Sequence, residues 1–432
     1  MAVEYVTLLH NHHTEPHAVH ILFLTDNFPP ESNAPANRTY EHAIRWVNKG
    51  NKVTVITCAP NFPSGKVFPG YRNRWYQREQ MNGIDVVRVK TYITANERFL
   101  RRIVDYLSFM ITGTIAALFQ KKPDVIIATS PQFFCGVAGM MAAALRSKRF
   151  ILEIRDLWPD SIVAVGMMRG SIAIRFLEWL ELLLYKRADT IVVVTDAFKR
   201  IISDRCGEPG KIEVVPNGID TANFYVAPRN EELRNSIGLQ NKFVVGYIGT
   251  HGLAHNLCTV VEAARILSSV KPQISFLLVG TGADYENIST SVDKYKLSNV
   301  ILLGQQPRED IPDYLRLCDV SLIILRNTEV FSTVIPSKLF ECMGVGISVL
   351  TSVPDGELTK IVNERQCGEC IEPESPELLA ATIQSMVENP ERLATQRDNS
   401  LAAADYYSRD RLAHKMLDII KETEQKNDSV IK

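Results

Sequence analysis

The sequence predicts an α/β protein of two doubly wound, Rossmann-like domains facing a cleft, and three observations predict it. Its 432 residues exceed the roughly 250–300 at which a single hydrophobic core stops growing. β-branched apolar runs alternate with helix-forming stretches along the whole chain, the pattern of parallel sheets covered by helices. In the second half, three successive runs end in glycine. Glycine at the carboxyl end of a parallel strand lets backbone come close to a ligand in the crevice there.

In the first half, strands are expected at 20–25, 52–57, 84–89, 124–128, 150–154 and 190–194, and helices at 37–49, 99–119, 172–186 and 197–205. The second half repeats the alternation from FVVGYIG at Phe243, ISFLLVG at Ile274, VILLG at Val300, VSLIIL at Val320 and ISVL at Ile347. Between the halves, VVPNGID (214–220) joins a short strand to a proline and an Asn-Gly turn, so the domain boundary belongs there. The expected organisation is a leader, 1–19, without order; a first α/β domain, 20–213; a second, 214–400; and 401–432, a helix returning to the N-terminal domain and then a tail.

A net charge of −1 with 22% charged residues describes an ordinary globular chain. It conceals an asymmetry: residues 1–215 hold 27 Lys+Arg against 20 Asp+Glu, and the remainder 21 against 29. Eight scattered cysteines are too sparse for a disulfide framework. Their one close pair, Cys367-Gly-Glu-Cys370, lacks the second pair or histidines of a zinc site, and incidental thiols of a reducing cytoplasm explain it. The first twenty residues lack a basic region followed by an apolar run, so no secretory signal is read; five of the nine histidines lie there. The uncharged stretch between Asp124 and Arg146 is long enough to cross a bilayer. Pro131 and Gln132 break it, and a buried strand followed by a buried helix fits better. The 99–119 helix, with Arg101, Arg102 and Asp105 near its start and Lys121 and Lys122 after it, suits a core helix or one lying on an anionic membrane.

Neither G-x-G-x-x-G nor a P-loop is present; Gly280-Thr-Gly282 is only a G-x-G. Group transfer from a nucleotide donor is the leading reading for two glycine-punctuated α/β domains. The stretches VVPNGIDTANF (214–224), FLLVGTGADYE (276–286), GQQPREDIPDY (304–314) and PSKLFECMGVGISVL (336–350) resemble the ordered landmarks of the C-terminal domain of glycosyltransferase family 4. NFPPES (27–32), EIRDLWPDS (153–161) and GTHGLA (249–254) are similar to a narrower branch, bacterial surface-polysaccharide transferases of the N-acetyl-L-fucosamine transferase type. The resemblance spans nearly everything from His20 to about Met416. It implies the GT-B fold, retention of anomeric configuration, a UDP-sugar donor and acceptors that are sugars on a polyprenyl diphosphate at the inner membrane.

Moving a glycosyl group off a nucleotide diphosphate develops negative charge on the β-phosphate, which requires cations or aimed N–H groups. Lys338 lies at the start of a predicted helix, after Pro336-Ser337, where dipole and ammonium act on one anion; Leu339 stands beside it. In the family the second glutamate of an E-x7-E pair holds the donor ribose, and Glu341 matches it, while the first position holds Thr333 instead. After the first glycine strand, where many members carry Arg and Lys, this chain has Gly249-Thr250-His251; these residues, with Gly280 and Gly282, are candidates for the phosphates or sugar, His251 equally fitting a surface loop. Lys338 is thus the main cation and Arg308 a weaker second. Where the family often has a histidine facing the anomeric centre, the chain has Thr129. Asp156 is the best remaining carboxylate for the acceptor hydroxyl, or a structural partner of Arg155. Ser32 and Asn33, after the first strand, are expected to line the cleft.

No Asp-x-Asp pair or metal triad is present, so no metal and no resident cofactor is expected. The basic first half and its helices at 99–119 and 172–185, the latter with Phe176, Trp179, Leu180, Leu183 and Leu184, point to an anionic membrane surface rather than nucleic acid. The expected location is cytoplasmic, peripheral at the inner membrane. A UDP-sugar epimerase of the same architecture would need carboxylate and histidine clusters that the sequence does not show, and a non-catalytic nucleotide-sugar binding protein would hold UDP without turnover.

Overall fold

The strands form two sheets. The computed structural model describes residues 17–62, 64–94, 99–130, 132–158 and 172–426; most of the 1–19 leader, Pro131 and the Pro159–Ser161 end of one motif lie outside them. The first sheet contains β1 (His20–Leu24), β2 (Lys52–Cys58), β3 (Tyr76–Met81), β4 (Ile84–Val89), β5 (Val125–Thr129), β6 (Arg149–Ile154), β7 (Thr190–Val193) and β8 (Ile212–Val214), in the order β3-β4-β2-β1-β5-β6-β7-β8. β1 is central, with Ile21 in register with Val53 on one side and Val125 on the other. Every residue of β5 is buried, as an apolar run covered on both faces requires.

β3 escapes sequence reading. It pairs antiparallel with β4, and its residues, Tyr-Gln-Arg-Glu-Gln-Met, alternate between exposed and half-buried without an apolar face. An edge strand needs no second buried side, so the apolar signal is missing.

The helices of the first half include α1 (Ala34–Asn48), α2 (Phe99–Leu118), α3 (Phe133–Arg146), α4 (Ile172–Arg187) and α5 (Asp196–Cys206). The long uncharged stretch is thus a strand followed by a helix. Among the described residues no helix is long and apolar enough to cross a membrane. α3 lies flush on the sheet because Gly139 has no side chain: a Cβ there would stand 2.8 Å from Phe150 Cε2.

The second sheet contains β9 (Phe243–Ile248), β10 (Ile274–Val279), β11 (Val300–Leu303), β12 (Val320–Ile324), β13 (Ser348–Ser352) and β14 (Gly368–Ile371), ordered β11-β10-β9-β12-β13-β14, with every pairing parallel. The strand order reverses beside β9, which makes the ends of β9 and β12 a topological switch point. Its helices include α6 (Glu231–Ser236), α7 (Cys258–Val270), α8 (Tyr285–Tyr295), α9 (Ile311–Leu317), α10 (Glu329–Ser332), α11 (Ser337–Val345) and α12 (Glu357–Arg365). Cys367 immediately precedes β14 and Cys370 lies within it, and their thiols donate to the carbonyls of Val362 and Thr359 on α12 at 3.9 Å each. All eight cysteines are free, and Cys258 is the exposed one.

The C-terminal helix expected over 401–432 is instead two, α14 (Pro390–Tyr406) and α15 (Arg409–Gln425), after α13 (Pro376–Glu388). The break has a cause. Ile219 N–H donates to Tyr407 O at 3.0 Å and Arg409 N–H to Ile219 O at 2.9 Å, and this bridge to the Asn-Gly segment cannot form inside a helix. By compactness the chain divides into residues 1–151 with 420–432, and residues 152–419.

Gly139→Ala should overpack α3 against Phe150 and lower stability by about 1–3 kcal/mol, read as a reduced urea midpoint by circular dichroism. An unchanged midpoint would show that the helix can move away without cost.

Candidate functional site

β9 and β10 both end in glycines that only a residue without Cβ could be. Gly249 and Gly280 have φ of +142° and +137°. A Cβ on Gly280 would meet the Gly249 carbonyl carbon at 2.9 Å, and one on Gly282 the His251 carbonyl carbon at 2.7 Å. The loop after β10 therefore lies directly on the loop after β9, where His251 N–H donates to Thr281 O at 3.0 Å and Asp284 N–H to His251 O at 2.9 Å.

This packing immobilises His251, which is 0% exposed. Its ring stacks on Tyr285, centroids 5.5 Å apart at 21°, and tilts against Tyr247 at 5.8 Å. Neither ring nitrogen has a hydrogen-bond partner. Burial, then Lys338, then His255 push its pKa down to about 4, so it is a neutral imidazole at pH 7 with one N–H donor and one acceptor.

Lys338 is the second residue of α11, whose N-cap Pro336 provides no side-chain cap; the first-turn N–H groups point toward the same end as the ammonium. Lys338 Nζ stands 3.6 Å from the Tyr247 ring centroid and is sealed from solvent without a hydrogen-bond partner. The missing side chain of Gly249 makes the room: a Cβ there would lie 2.8 Å from Nζ. Burial lowers the Lys338 pKa to about 7 against the opposing pull of Glu341 and Cys342. The Glu341 carboxyl is raised by burial, with Lys338 and Arg308 opposing. His255 Nδ1 lies 3.2 Å from Ile324 O, and burial followed by Lys338 lowers its pKa. A cation, two neutral imidazoles and a helix start, without a carboxylate hydrogen-bonded to the cation, make a site for an anion with an aromatic floor. An unmade buried hydrogen bond costs about 1–3 kcal/mol, which a bound anion would recover.

Comparison with known proteins then supplies the family. The model described as "Glycosyltransferase Family 4" matches residues 35–223 and that of "Glycosyl transferases group 1" residues 229–403. The chain belongs to the family 4 glycosyltransferases. It is 26% identical over 389 residues to WcaI of Escherichia coli K12, named for colanic acid biosynthesis, covering 88% of this chain and 94% of that protein. It is 27% identical over 254 residues to the E. coli UDP-Gal:alpha-D-GlcNAc-diphosphoundecaprenol alpha-1,3-galactosyltransferase, covering 57% and 62%. HepE of Anabaena, solved with UDP, matches the fold with a TM-score of 0.69 at 17% identity, over 94% of this chain and 100% of that one. Sucrose-phosphate synthase of Thermosynechococcus elongatus matches it at 0.71 and 16% identity, over 94% and 98%. The two sheets are those of the GT-B class.

In this glycosyltransferase Gly249, His251, Gly280, Gly282 and Lys338 gather where β9 and β10 end and α11 begins, whereas Leu339 is fully buried in the apolar core and Glu341 lies at the middle of α11, its carboxyl acting electrostatically on Lys338. Thr250 is exposed there and its carbonyl accepts from the Tyr247 hydroxyl at 2.8 Å. The surface-loop alternative for His251 fails on its complete burial. Thr333, standing where the family's first glutamate would, turns its hydroxyl back to Val330 O at 2.8 Å.

The candidates from the first half have more local commitments. Asn33 caps α1: its Oδ1 accepts from Ala36 N–H at 2.9 Å and its Nδ2 donates to Asn27 at 2.8 Å. Ser32 is exposed and its carbonyl accepts from Asn37 Nδ2 at 2.8 Å. Thr129 is buried and its hydroxyl donates to Ser130 O at 2.9 Å. Asp156 follows β6 and is half-buried, while Arg155 donates to Asn217 Oδ1 at 2.9 Å.

Tyr247, Tyr285 and His255 were not foreseen; the usable signal was an aromatic one residue from the end of a strand that stops at glycine. Asp26, just past β1, was also missed. Burial, then Asp105 and Glu31, raise its pKa to about 8, and burial raises Asp105 to about 7. Protonated carboxyls at neutral pH can donate to, or accept from, a hydroxyl.

Gly249→Ala should force Lys338 Nζ off the Tyr247 ring and into water, returning its pKa toward 10.5. Amine-selective labelling of Lys338 against pH, read by mass spectrometry, should titrate near 7 in the parent protein and well above it in the variant.

Proposed function

We propose that the protein is a retaining, metal-independent glycosyltransferase that moves a sugar, an N-acetylated hexose or deoxyhexose, from a UDP-sugar to a lipid-linked saccharide in bacterial O-antigen or capsule synthesis. The observation that carries the reading is Lys338 Nζ, buried without a hydrogen-bond partner at an uncapped helix start. The WcaI and galactosyltransferase names and the UDP held by HepE are consistent with that donor and acceptor class.

In the reaction the C1–O bond of the donor breaks with its electron pair passing to the β-phosphate oxygen, and the acceptor oxygen bonds C1 as its proton passes to an oxygen of the departing diphosphate. Lys338⁺ and the first-turn N–H groups of α11 stabilise the leaving diphosphate. Neutral His251 offers one N–H without adding charge, and Glu341 holds the ribose hydroxyls. The donor's charge is met by this ammonium and these dipoles, so chelation should leave turnover intact.

α2 supplies the membrane contact. Val104, Ile111, Ile115 and Leu118 form an exposed stripe that ends at Phe119, itself 79% exposed, and Lys121 and Lys122 follow. Met141 and Leu145 on α3 are also exposed. This suits a helix face seated at the headgroup boundary of an anionic bilayer. Of the apolar side chains expected on the second helix, α4, Leu180 and Leu184 are core, and Phe176 and Trp179 form an exposed stacked pair 5.8 Å apart.

Lys338→Ala should weaken UDP binding by roughly 100-fold by calorimetry and abolish UDP release in the presence of acceptor lipid. In the parent protein, UDP binding favours the ammonium form, so the complex takes up a proton and the dissociation constant should rise above about pH 7, at most ten-fold per unit. The same titration with EDTA should be superimposable. Retained transfer in Lys338→Ala would remove the basis of the reading. For the membrane contact, Ile111→Glu with Ile115→Glu should abolish co-sedimentation with phosphatidylglycerol vesicles while UDP affinity is kept; unchanged sedimentation would move the contact elsewhere.

A further inference from the structure

The β3–β4 edge of the first sheet exposes an aromatic and basic surface that the donor site and the α2 stripe do not use. Trp75 is 72% exposed, an unusual cost for a large ring with no packing to show for it. The register that pairs Tyr76 with Val89 places Trp75 across from Lys90, whose Nζ lies 4.8 Å from the Trp75 ring centroid. Tyr92, two residues beyond Lys90, is also exposed, whereas Tyr76 turns to the other face, its hydroxyl 3.5 Å from Gln120 Nε2.

The surface is held rigidly. Asn73 Nδ2 donates to Thr91 O at 2.7 Å and Thr91 N–H donates back to Asn73 Oδ1 at 3.1 Å. Tyr92 N–H donates to Ser108 Oγ at 2.8 Å, tying the segment to α2. Beneath it, the buried Arg88 guanidinium reaches Glu79, Cys58 O and Pro29 O and stacks 4.9 Å from the Tyr71 ring centroid. Among the described residues the exposed Arg72, Arg74 and Lys90 have no carboxylate partner, whereas Arg78 is paired with Asp85 at 2.9 Å.

We infer that this surface, centred on Trp75 with Arg72, Arg74 and Lys90, is a docking subsite for a negatively charged saccharide: a carboxylate-bearing sugar of the acceptor glycan. The inference rests on the glycosyltransferase reading above and extends it to what the acceptor carries. An indole presents a flat, rigid face to the C–H side of a pyranose, and guanidinium forks match a carboxylate in bidentate geometry. Charge complementarity favours an anionic sugar over a neutral one. The patch lacks the aliphatic side chains that make α2 suited to acyl chains, which favours a glycan over a bilayer as its occupant.

The test is isothermal titration of the full chain with three probes: a tetrasaccharide alternating glucuronate and N-acetylglucosamine, the neutral tetramer of N-acetylglucosamine, and vesicles of phosphatidylcholine with phosphatidylglycerol. The charged tetrasaccharide should bind measurably more tightly than the neutral one. Trp75→Ala and Arg72→Ala/Arg74→Ala should each weaken it by about ten-fold or more, the double variant also flattening the salt dependence, with UDP affinity unchanged in both. Equal binding of the charged and neutral probes, or charged-probe binding that survives Trp75→Ala, overturns the inference. Loss of vesicle binding in these variants with saccharide binding intact also overturns it and assigns the patch to the membrane. UDP binding separates the two readings: its absence in the parent protein counts against the donor site alone, and saccharide failure with UDP intact counts against this surface alone.

Discussion

An ammonium held against the face of a tyrosine with nothing to hydrogen-bond is the interaction on which the ends of β9 and β10 and the start of α11 depend. A buried cation without a partner is expensive, and the Tyr247 ring returns only about 2 kcal/mol of it. The lysine therefore sits close to neutrality, poised to regain charge when an anion arrives. Its surroundings follow from that placement. Gly249 must lack a side chain for Nζ to reach the ring, Gly280 and Gly282 must lack one for the second loop to press on the first, and His251 is locked in a position that it can hold only as a neutral ring.

The fold and this site were legible in the sequence to different depths. Buried parallel strands announce themselves as apolar runs, so β4 (Ile84–Val89) matches its expected limits and β1, β2 and β5 do so within a residue or two. β3 was invisible because its polar side chains alternate between exposed and half-buried without an apolar face. The helix break at Tyr407 was invisible because its cause is a hydrogen-bonded partner at Ile219, almost two hundred residues earlier. At the site, Lys338 was readable from Pro-Ser at a helix start. The aromatic floor was not, since Tyr247 in FVVGYIG looks like one more core residue until the fold brings Lys338 over it. Asn33 shows the converse: a polar loop residue suggested ligand contact, and its amide is occupied by capping α1.

Two kinds of exposed apolar surface occur in the first 150 residues, and they differ chemically. The α2 stripe is aliphatic and followed by lysines; the β3–β4 edge is aromatic and interleaved with arginines. Aliphatic area is favoured wherever water is excluded, whereas an aromatic face also selects for shape and for what lies against it. A chain needing only adhesion to a bilayer would have no reason to tie the segment before Trp75 to the one after Lys90 with reciprocal hydrogen bonds between Asn73 and Thr91.

The distribution of thiols has a practical consequence. Five of the eight cysteines are buried, two are half-buried, and only Cys258 is open to solvent. It opens α7, the helix that follows the His251 and His255 loop directly. A maleimide fluorophore would attach preferentially at that one position, a built-in reporter for loop movement that requires no engineered cysteine and no removal of a native one.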